Sequence, residues 1–301
     1  MKLLIIPDIH NKVADAEAII HRLAGQYDHV VFLGDFFDSK PDNLEVTRDT
    51  AEWIKGKIND PLYLFCHGNH DTGYRWRSHY HFTEHSGFSR AKCEVINEVL
   101  TPRDWSQFRA FHRFGNLFLS HAGISDDLLL HLEQIGLMEY TTDPEKIEVS
   151  LSPLFEKAHH DATIPVSYPS PLYGVSYRRG GSQEIGGVTW CDFSEFKPIP
   201  GIHQFFGHTR LEVVCATVHG EKPSIYYPGM SGKHAPASIH EAYESIGRGS
   251  GTGIDSYLST VVIYDTDSKN ADIFSCSYLN PDEYYDRTLT DIAKKWTIHL
   301  P

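Results

Sequence analysis

The sequence predicts an α/β fold, because short apolar runs alternate with longer helix-compatible stretches over the first third of the chain. Apolar runs over 2–7, 29–33 and 61–66 predict strands, and the segments 15–24 and 43–57 between them predict helices. Alternation of this kind is typical of βαβ units built around a parallel sheet.

Later apolar runs predict further strands. Two short strands are expected over 117–120 and 204–206. Four more runs predict a second, largely antiparallel sheet, and they cover 213–218, 224–227, 258–264 and 271–276.

Three other stretches are less regular. Residues 72–113 are rich in aromatic residues and locally basic, so an insertion or lid is expected there. The proline- and glycine-containing stretches 141–190 and 228–253 predict irregular loops. All of these are expected to belong to one domain spanning 1–301.

The composition excludes several classes of protein. With 41% hydrophobic and 22% charged residues the chain is expected to fold, and no apolar run approaches a membrane span or a signal peptide, which predicts a cytoplasmic protein. A net charge of −13 argues against nucleic acid as a partner. Five cysteines without a Cys-x-x-Cys pair argue against a disulfide framework or a thiolate zinc site.

Polar side chains follow five of the predicted strands. In chain order they are Asp8 and His10, Asp35 and Asp38, Asn69 and His70, His121, and His208. In open α/β sheets ligands bind beyond the carboxyl ends of the strands, where these residues are expected. Carboxylates, imidazoles and an amide oxygen together suit manganese, iron or zinc.

The five motifs, in this order, resemble those of the calcineurin-like metallophosphoesterases. The sequence Gly207-His208-Thr209 is similar to the branch that contains phosphoprotein phosphatases and diadenosine tetraphosphatases, whereas nucleases and phosphodiesterases usually carry Gly-His-x-His and this chain has Arg210 there. The resemblance implies a four-layer α/β/β/α sandwich of two mixed sheets flanked by helices.

The resemblance also implies roles for the residues at the strand ends. Two divalent transition-metal ions, expected to be manganese with iron, zinc or nickel as alternatives, would be held by six ligands: Asp8, His10, Asp35, Asn69, His121 and His208. Asp35 would bridge the metals, and a bridging hydroxide would attack phosphorus in line. His70 would protonate the leaving oxygen with Asp38 behind it. Alternatively, His70 is itself a ligand and Asp38 caps a helix.

Three departures from the family pattern leave the phosphate-binding group open. The second motif continues as Asp38-Ser39-Lys40 where Asp-Arg-Gly is usual, Asp71 replaces a glutamate, and Asp192 stands where bacterial members often have arginine. Because an anionic substrate needs cationic donors, Arg75 and Arg179 are predicted to bind it, with their neighbours Arg77 and Arg178 as further candidates.

The predicted function is hydrolysis of a phosphomonoester, on a protein or a small molecule, or of a nucleotide phosphoanhydride. A phosphodiesterase or nuclease on the same scaffold is the alternative. A catalytically silent binding protein would be expected to have lost a ligand or His70, and none is lost.

Overall fold

The computed structural model describes most of the chain. The described residues are 1–39, 42–77, 85–161, 170–209, 214–218, 224–226, 250–253, 258, 260–279 and 288–300. Within them, thirteen strands form two sheets and seven α-helices cover these sheets or connect their strands. No helix in the described part of the chain is both long and apolar enough to cross a membrane.

The first sheet has seven strands. In spatial order they are β13 (Thr288–His299), β12 (Asn270–Leu279), β11 (Thr260–Asp265), β1 (Lys2–Ile6), β2 (His29–Phe32), β3 (Tyr63–Cys66) and β4 (Phe108–Arg109). Strands β1 to β4 pair in parallel, whereas β11, β12 and β13 add antiparallel to the β1 edge. The parallel half places the carboxyl ends of β1, β2 and β3 side by side.

The second sheet has six strands. In spatial order they are β5 (Phe111–Phe114), β6 (Leu117–Ser120), β7 (His203–Phe206), β10 (Ser250–Gly253), β8 (Val214–Val218) and β9 (Ser224–Tyr226). Strands β6, β7 and β10 are parallel, and the others pair antiparallel. Both sheets are therefore mixed, as predicted.

Alternate residues of the buried strands β1 and β2 pack the first sheet against the second. Leu3 and Ile5 on β1 and Val31 on β2 lie in one apolar cluster with Leu119 on β6 and Phe205 on β7. The alternate residues of β1 and β2 face the opposite way, because successive strand side chains point to opposite faces. Each sheet thus buries one face against the other sheet and one face under helices.

Helices complete the four layers. They are α1 (Val13–Arg22), α2 (Leu44–Lys57), α3 (Asn69–Arg75), α4 (Arg90–Val99), α5 (Pro102–Trp105), α6 (Asp126–Gln134) and α7 (Pro144–Asp161). Ile19 of α1, Ile54 of α2 and Ile96 of α4 pack in the core on the outer face of the first sheet. Leu129 of α6 and Leu151 of α7 pack in the core that contains Phe118 of the second sheet.

The structure corrects two of the predictions. Strands β11 and β12 belong to the first sheet, because β11 is buried along almost its whole length and suits only an interior position between β1 and β12. The loop expected over 141–190 contains the 18-residue helix α7. Its residues Ile147, Leu151 and Phe155 recur at helical spacing and are buried, which offsets the cost of Pro153 inside the helix.

The remaining stretches are more regular than the sequence indicates. Residues 72–113 contain α4 and α5 and contribute β4 to one sheet and β5 to the other, so this stretch is partly integral to the sandwich. The loop expected over 228–253 lies outside the described residues except for β10. Strand β13, twelve residues long, was not predicted from the sequence.

A buried carboxylate joins the loops after β2 and β3. Asp71 Oδ2 accepts hydrogen bonds from the backbone N–H groups of Asp35 and Gly68, each at 2.8 Å, and Oδ1 accepts from that of Phe36 at 2.9 Å. The backbones touch here, since a Cβ on Gly34 would lie 2.3 Å from the Gly68 nitrogen. One side chain therefore satisfies three donors that water cannot reach.

We expect Asp71→Ala to lower the free energy of unfolding by about 3 kcal/mol or more, because three buried N–H groups would lose their acceptor. Urea denaturation followed by circular dichroism measures the change. Asp60→Ala is the matched control, since exposed Asp60 accepts one backbone hydrogen bond, from Leu62, and its loss should cost less than about 1 kcal/mol. Equal destabilisation in the two variants would contradict the proposed joining role.

Candidate metal centre

The structure brings all six predicted ligands together. Three of the predicted motifs follow β1, β2 and β3 in the first sheet, and two follow β6 and β7 in the second. Because the sheets pack face to face, these carboxyl ends meet at one edge of the sandwich. The ligands lie there in two groups, which share Asp35.

The first group consists of Asp8, His10 and Asp35. The Nε2 atom of His10 lies 4.0 Å from Asp8 Oδ2 and 3.9 Å from Asp35 Oδ2. The other ring nitrogen of His10, Nδ1, lies 3.0 Å from the carbonyl oxygen of Phe37. A carbonyl can only accept, so Nδ1 carries the proton and Nε2 presents its lone pair to the carboxylates.

The second group adds Asn69, His121 and His208. Three of its atoms lie 2.9 to 3.1 Å from one another, namely Asn69 Oδ1, His121 Nε2 and His208 Nδ1. His121 Nε2 also lies 3.4 Å from Asp35 Oδ2. The Nδ1 atom of His121 lies 3.1 Å from the carbonyl oxygen of Leu33, which again directs the lone pair of Nε2 inward.

The donor set of both groups fits bound cations. Burial lowers the pKa of His10 to about 3 and holds the pKa of His121 and His208 well below the usual range, so all three imidazoles are neutral. The lone pair of His121 Nε2 then faces the amide oxygen of Asn69 at 3.0 Å, a contact between two acceptors. Such a contact is repulsive unless a cation lies between the two atoms.

Electrostatics of the carboxylates lead to the same conclusion. Burial, and next the charge of Asp8, raise the pKa of Asp35 well above its ordinary value. Two buried carboxylates side by side are costly to ionise without positive charge. Divalent cations at this position would supply that charge.

Three of the ligands adopt strained backbone conformations. The φ angles of His10, Asp35 and His208 are 46°, 53° and 67°, in the left-handed region that residues other than glycine rarely occupy. Each such residue costs on the order of 1 kcal/mol or more, and strain of this kind clusters at functional sites.

A second cluster surrounds Asp38. Its Oδ2 atom lies 3.1 Å from Nδ1 of His70 and 3.0 Å from Nδ1 of His85, while Oδ1 accepts from Tyr74 Oη at 2.6 Å and from Lys92 Nζ at 2.8 Å. Burial raises the pKa of Asp38, but the hydrogen bond from His70 and the neighbouring imidazole and ammonium groups outweigh it and hold the pKa at about 2.

The predicted contact between Asp38 and His70 is therefore present. The cap of α2 is Asn43, whose side chain accepts from the backbone of Val46 at 2.9 Å, so Asp38 does not cap this helix. The ammonium of Lys92 already balances the charge of Asp38, which makes the cluster a hydrogen-bonded network rather than a further cation site.

The sequence did not indicate His85 or Lys92 as site residues. Both belong to the stretch 72–113 and reach Asp38 across more than 45 positions of sequence. Tyr74 and Phe88, from the aromatic cluster of that stretch, stack on each other with ring centroids 5.0 Å apart, and Tyr74 is fully buried. These two rings serve packing.

The two predicted substrate-binding arginines differ in position. Arg75 contacts Nε2 of His67, a buried histidine whose ring stacks on Phe108, and this position argues against contact with substrate. Arg179 donates to Oγ1 of Thr209 at 2.8 Å, directly beside the ligand His208.

Asp192 orients Arg179. Its Oδ2 atom lies 2.9 Å from Nε of Arg179, so the aspartate that replaces the arginine of the family pattern holds an arginine from another loop. Arg77 and Arg178 are exposed, and Arg210 lies outside the described residues.

A pocket of about 470 Å³ lies next to the cluster around Asp38. Its lining includes His85, whose ring centroid lies 4.2 Å from that of His70, and Trp190, whose ring centroid lies 5.7 Å from that of His208. Arg179 also lines it. The pocket thus adjoins the Asp38 cluster, and its lining residue Trp190 packs beside His208 of the second ligand group.

Comparison with solved structures finds phosphoesterases. A metallophosphoesterase from Sphaerobacter thermophilus is 15% identical with a TM-score of 0.43, and the match covers 91% of this chain and 86% of that one. A proposed diadenosine tetraphosphatase is 13% identical with a TM-score of 0.37, and the match covers 98% and 94% of the two chains. No curated protein matches this sequence.

The family comparison covers the part of the chain that carries the site. The sequence model of the calcineurin-like phosphoesterases matches residues 1–210, which include β1 to β7 and all six predicted ligands. More than two thirds of the chain is matched. The chain therefore belongs to the calcineurin-like phosphoesterase family and is a hydrolase that acts on phosphoester bonds.

Proposed function

We propose that the protein is a phosphatase with two divalent metal ions, and the observation that carries this proposal is the shared position of Asp35. Its Oδ2 atom lies 3.9 Å from His10 Nε2 in the first group and 3.4 Å from His121 Nε2 in the second. Two cations about 3.5–4 Å apart need an anion between them, and one carboxylate can contact both.

The six ligands divide between the two ions. Asp8, His10 and Asp35 hold one, and Asp35 holds the other together with three further residues, Asn69, His121 and His208. When bound, such a pair supplies Lewis acidity and an activated water for in-line attack on phosphorus. Manganese is the ion we propose, and the same donors also suit iron, zinc or nickel.

His70 is proposed to be the general acid. Because its Nδ1 atom faces Asp38 at 3.1 Å, Nε2 is left for the leaving oxygen. Its ring lies edge-on to that of His10, with centroids 5.1 Å apart, which places it beside the first ligand group. Asp38 accepts a hydrogen bond from the Nδ1–H group of His70, which fixes the tautomer and the orientation of the ring.

Arg179 is proposed to bind the phosphoryl group. Its hydrogen bond to Thr209 holds it beside His208, one of the proposed ligands. Burial lowers the pKa of His121 and His208, and the charge of Arg179 adds to this effect. A guanidinium held by Asp192 and Thr209 keeps further N–H donors for oxygen atoms of a phosphate.

The substrate is proposed to be a phosphorylated protein, nucleotide or small molecule, and a cytoplasmic location remains a prediction from the sequence. A phosphodiesterase or nuclease is the alternative. The net charge of −13 argues against a polyanionic nucleic acid. Turnover of p-nitrophenyl phosphate and of bis-p-nitrophenyl phosphate with added manganese separates the two, and faster turnover of the diester would contradict the proposal.

We expect Asp35→Asn to lower the affinity for both metal ions, because a neutral amide cannot bridge two cations as a carboxylate does. Elemental analysis of the purified variant after dialysis measures the loss. Asp60→Asn, at an exposed aspartate, is the matched control and should keep the metal content of the wild type. Two retained ions and unchanged turnover in Asp35→Asn would show that Asp35 is not the bridge.

We expect His70→Asn to lower kcat about 10²–10⁴-fold on phosphoserine and markedly less on p-nitrophenyl phosphate. The alkoxide of serine needs a proton to leave, whereas p-nitrophenolate leaves unaided. The measurement is the ratio of the two losses in metal-replete protein. Equal losses on both substrates would assign His70 to phosphate or metal binding instead.

We expect Arg179→Ala to lower kcat/KM on p-nitrophenyl phosphate by about 10- to 100-fold, the value of a charge-assisted hydrogen bond to substrate, with metal content intact. Arg178→Ala removes the neighbouring exposed arginine and should change kcat/KM little. Steady-state kinetics on both variants test this. Equal effects of the two substitutions would mean that Arg179 acts only through the general charge of the loop.

A further inference from the structure

The pocket beside the metal centre differs in charge from the rest of the protein. Among the described residues that line it, Arg179 carries the only formal charge, although the chain has a net charge of −13. The other polar lining groups are the neutral side chains of Ser86, Ser182 and Gln183 and the imidazole of His85. Such a lining suits an uncharged group that bears hydroxyls.

The size and aromatic content of the pocket agree with a small ligand. Its volume of about 470 Å³ lies within the range of small-molecule sites, about 300–1,000 Å³. Tyr173 and Trp190 line it, and aromatic rings offer apolar surface to the C–H groups of a polyol or sugar.

The wall that carries Arg179 and Gln183 is a tight turn. The backbone N–H of Gly181 donates to Ser176 at 2.9 Å, and that of Tyr177 donates to the carbonyl of Gln183 at 2.9 Å. A Cβ on Gly181 would lie 2.1 Å from the carbonyl oxygen of Val175, so the turn closes only with glycine. The wall is therefore formed before any ligand binds.

His85, one of the residues that line this pocket, has a buried acceptor that no described residue uses. Its Nδ1 atom lies 3.0 Å from Asp38 Oδ2, and since burial lowers the pKa of His85 to about 3, the neutral ring must carry its proton on Nδ1. The Nε2 atom is left with a lone pair. This atom is buried and has no hydrogen-bond partner among the described residues, and a buried polar atom without a partner is uncommon.

We propose that this pocket is the leaving-group subsite and takes the hydroxyl-bearing alcohol of a small phosphomonoester, with Nε2 of His85 accepting a hydrogen bond from one of its hydroxyls. The inference rests on the proposed phosphatase function. It places the phosphoryl group between Arg179 and the ligand groups and the alcohol beside His70 and His85. The side chain of phosphoserine has no second hydroxyl to satisfy His85.

Glycerol 2-phosphate and isopropyl phosphate form a matched pair for the test, because they share a branched three-carbon alcohol and differ in two hydroxyls. The ratio of their kcat/KM values measures recognition of the hydroxyls in manganese-loaded enzyme. The wild type should prefer glycerol 2-phosphate. His85→Phe keeps an aromatic ring at this position but removes both nitrogens, and it should lower this preference by about tenfold.

Two further measurements separate recognition from damage to the site. Inhibition by inorganic phosphate, which does not reach the subsite, should change little in His85→Phe. Gln183→Leu, in the turn that carries Arg179, should also lower the preference for glycerol 2-phosphate. This second variant keeps the test valid if loss of the bond from His85 to Asp38 slows turnover of every substrate.

The outcomes distinguish this inference from the function on which it rests. An unchanged preference in both variants, or equal turnover of the two esters by the wild type, would overturn the subsite and leave the phosphatase intact. Preference of the wild type for a phosphoserine peptide over glycerol 2-phosphate would overturn it in favour of a protein substrate. Failure of the manganese-loaded wild type to hydrolyse any of these esters would overturn the proposed function itself.

Discussion

The carboxylate of Asp71 is the interaction on which the site depends most. By accepting from the backbone of Asp35, Phe36 and Gly68, it fixes the loop after β2 against the loop after β3. Asp35 in turn accepts from the backbone of His70 at 2.9 Å through its Oδ1 atom, which leaves Oδ2 for the ligand groups. This contact between the loops keeps the carboxylate of Asp35 within reach of both ligand groups.

Paired charges explain how an acidic protein can bury so many carboxylates at one edge. Asp38 uses both oxygens, with two imidazoles on one and the groups of Tyr74 and Lys92 on the other. Asp8 accepts from the backbone of His208 at 3.1 Å. Burial, and next the charge of Asp8, raise the pKa of Asp35 well above its ordinary value. Its position between the two ligand groups is where divalent cations would be most stabilising.

The pairing of Arg179 with Asp192 shows how a departure from the family pattern is accommodated. An aspartate at position 192 removes the arginine expected there, yet it forms an ion pair at 2.9 Å with an arginine from the turn at 177–179. A guanidinium therefore still lies beside the second ligand group. In the proposed function, Arg179 takes the phosphate-binding role of the arginine that the family pattern has at position 192.

The sequence by itself placed the six proposed ligands at one edge of the fold, because each follows a strand end and the ends of neighbouring parallel strands meet at one edge. The family resemblance implied the contact between His70 and Asp38, which the structure contains at 3.1 Å. The sequence also determined the α/β class through the alternation of apolar runs. Tertiary structure alone decided the sheet to which β11 and β12 belong and the contacts of His85, Lys92 and Arg179. These depend on packing between residues far apart in the chain, for which local spacing carries no signal.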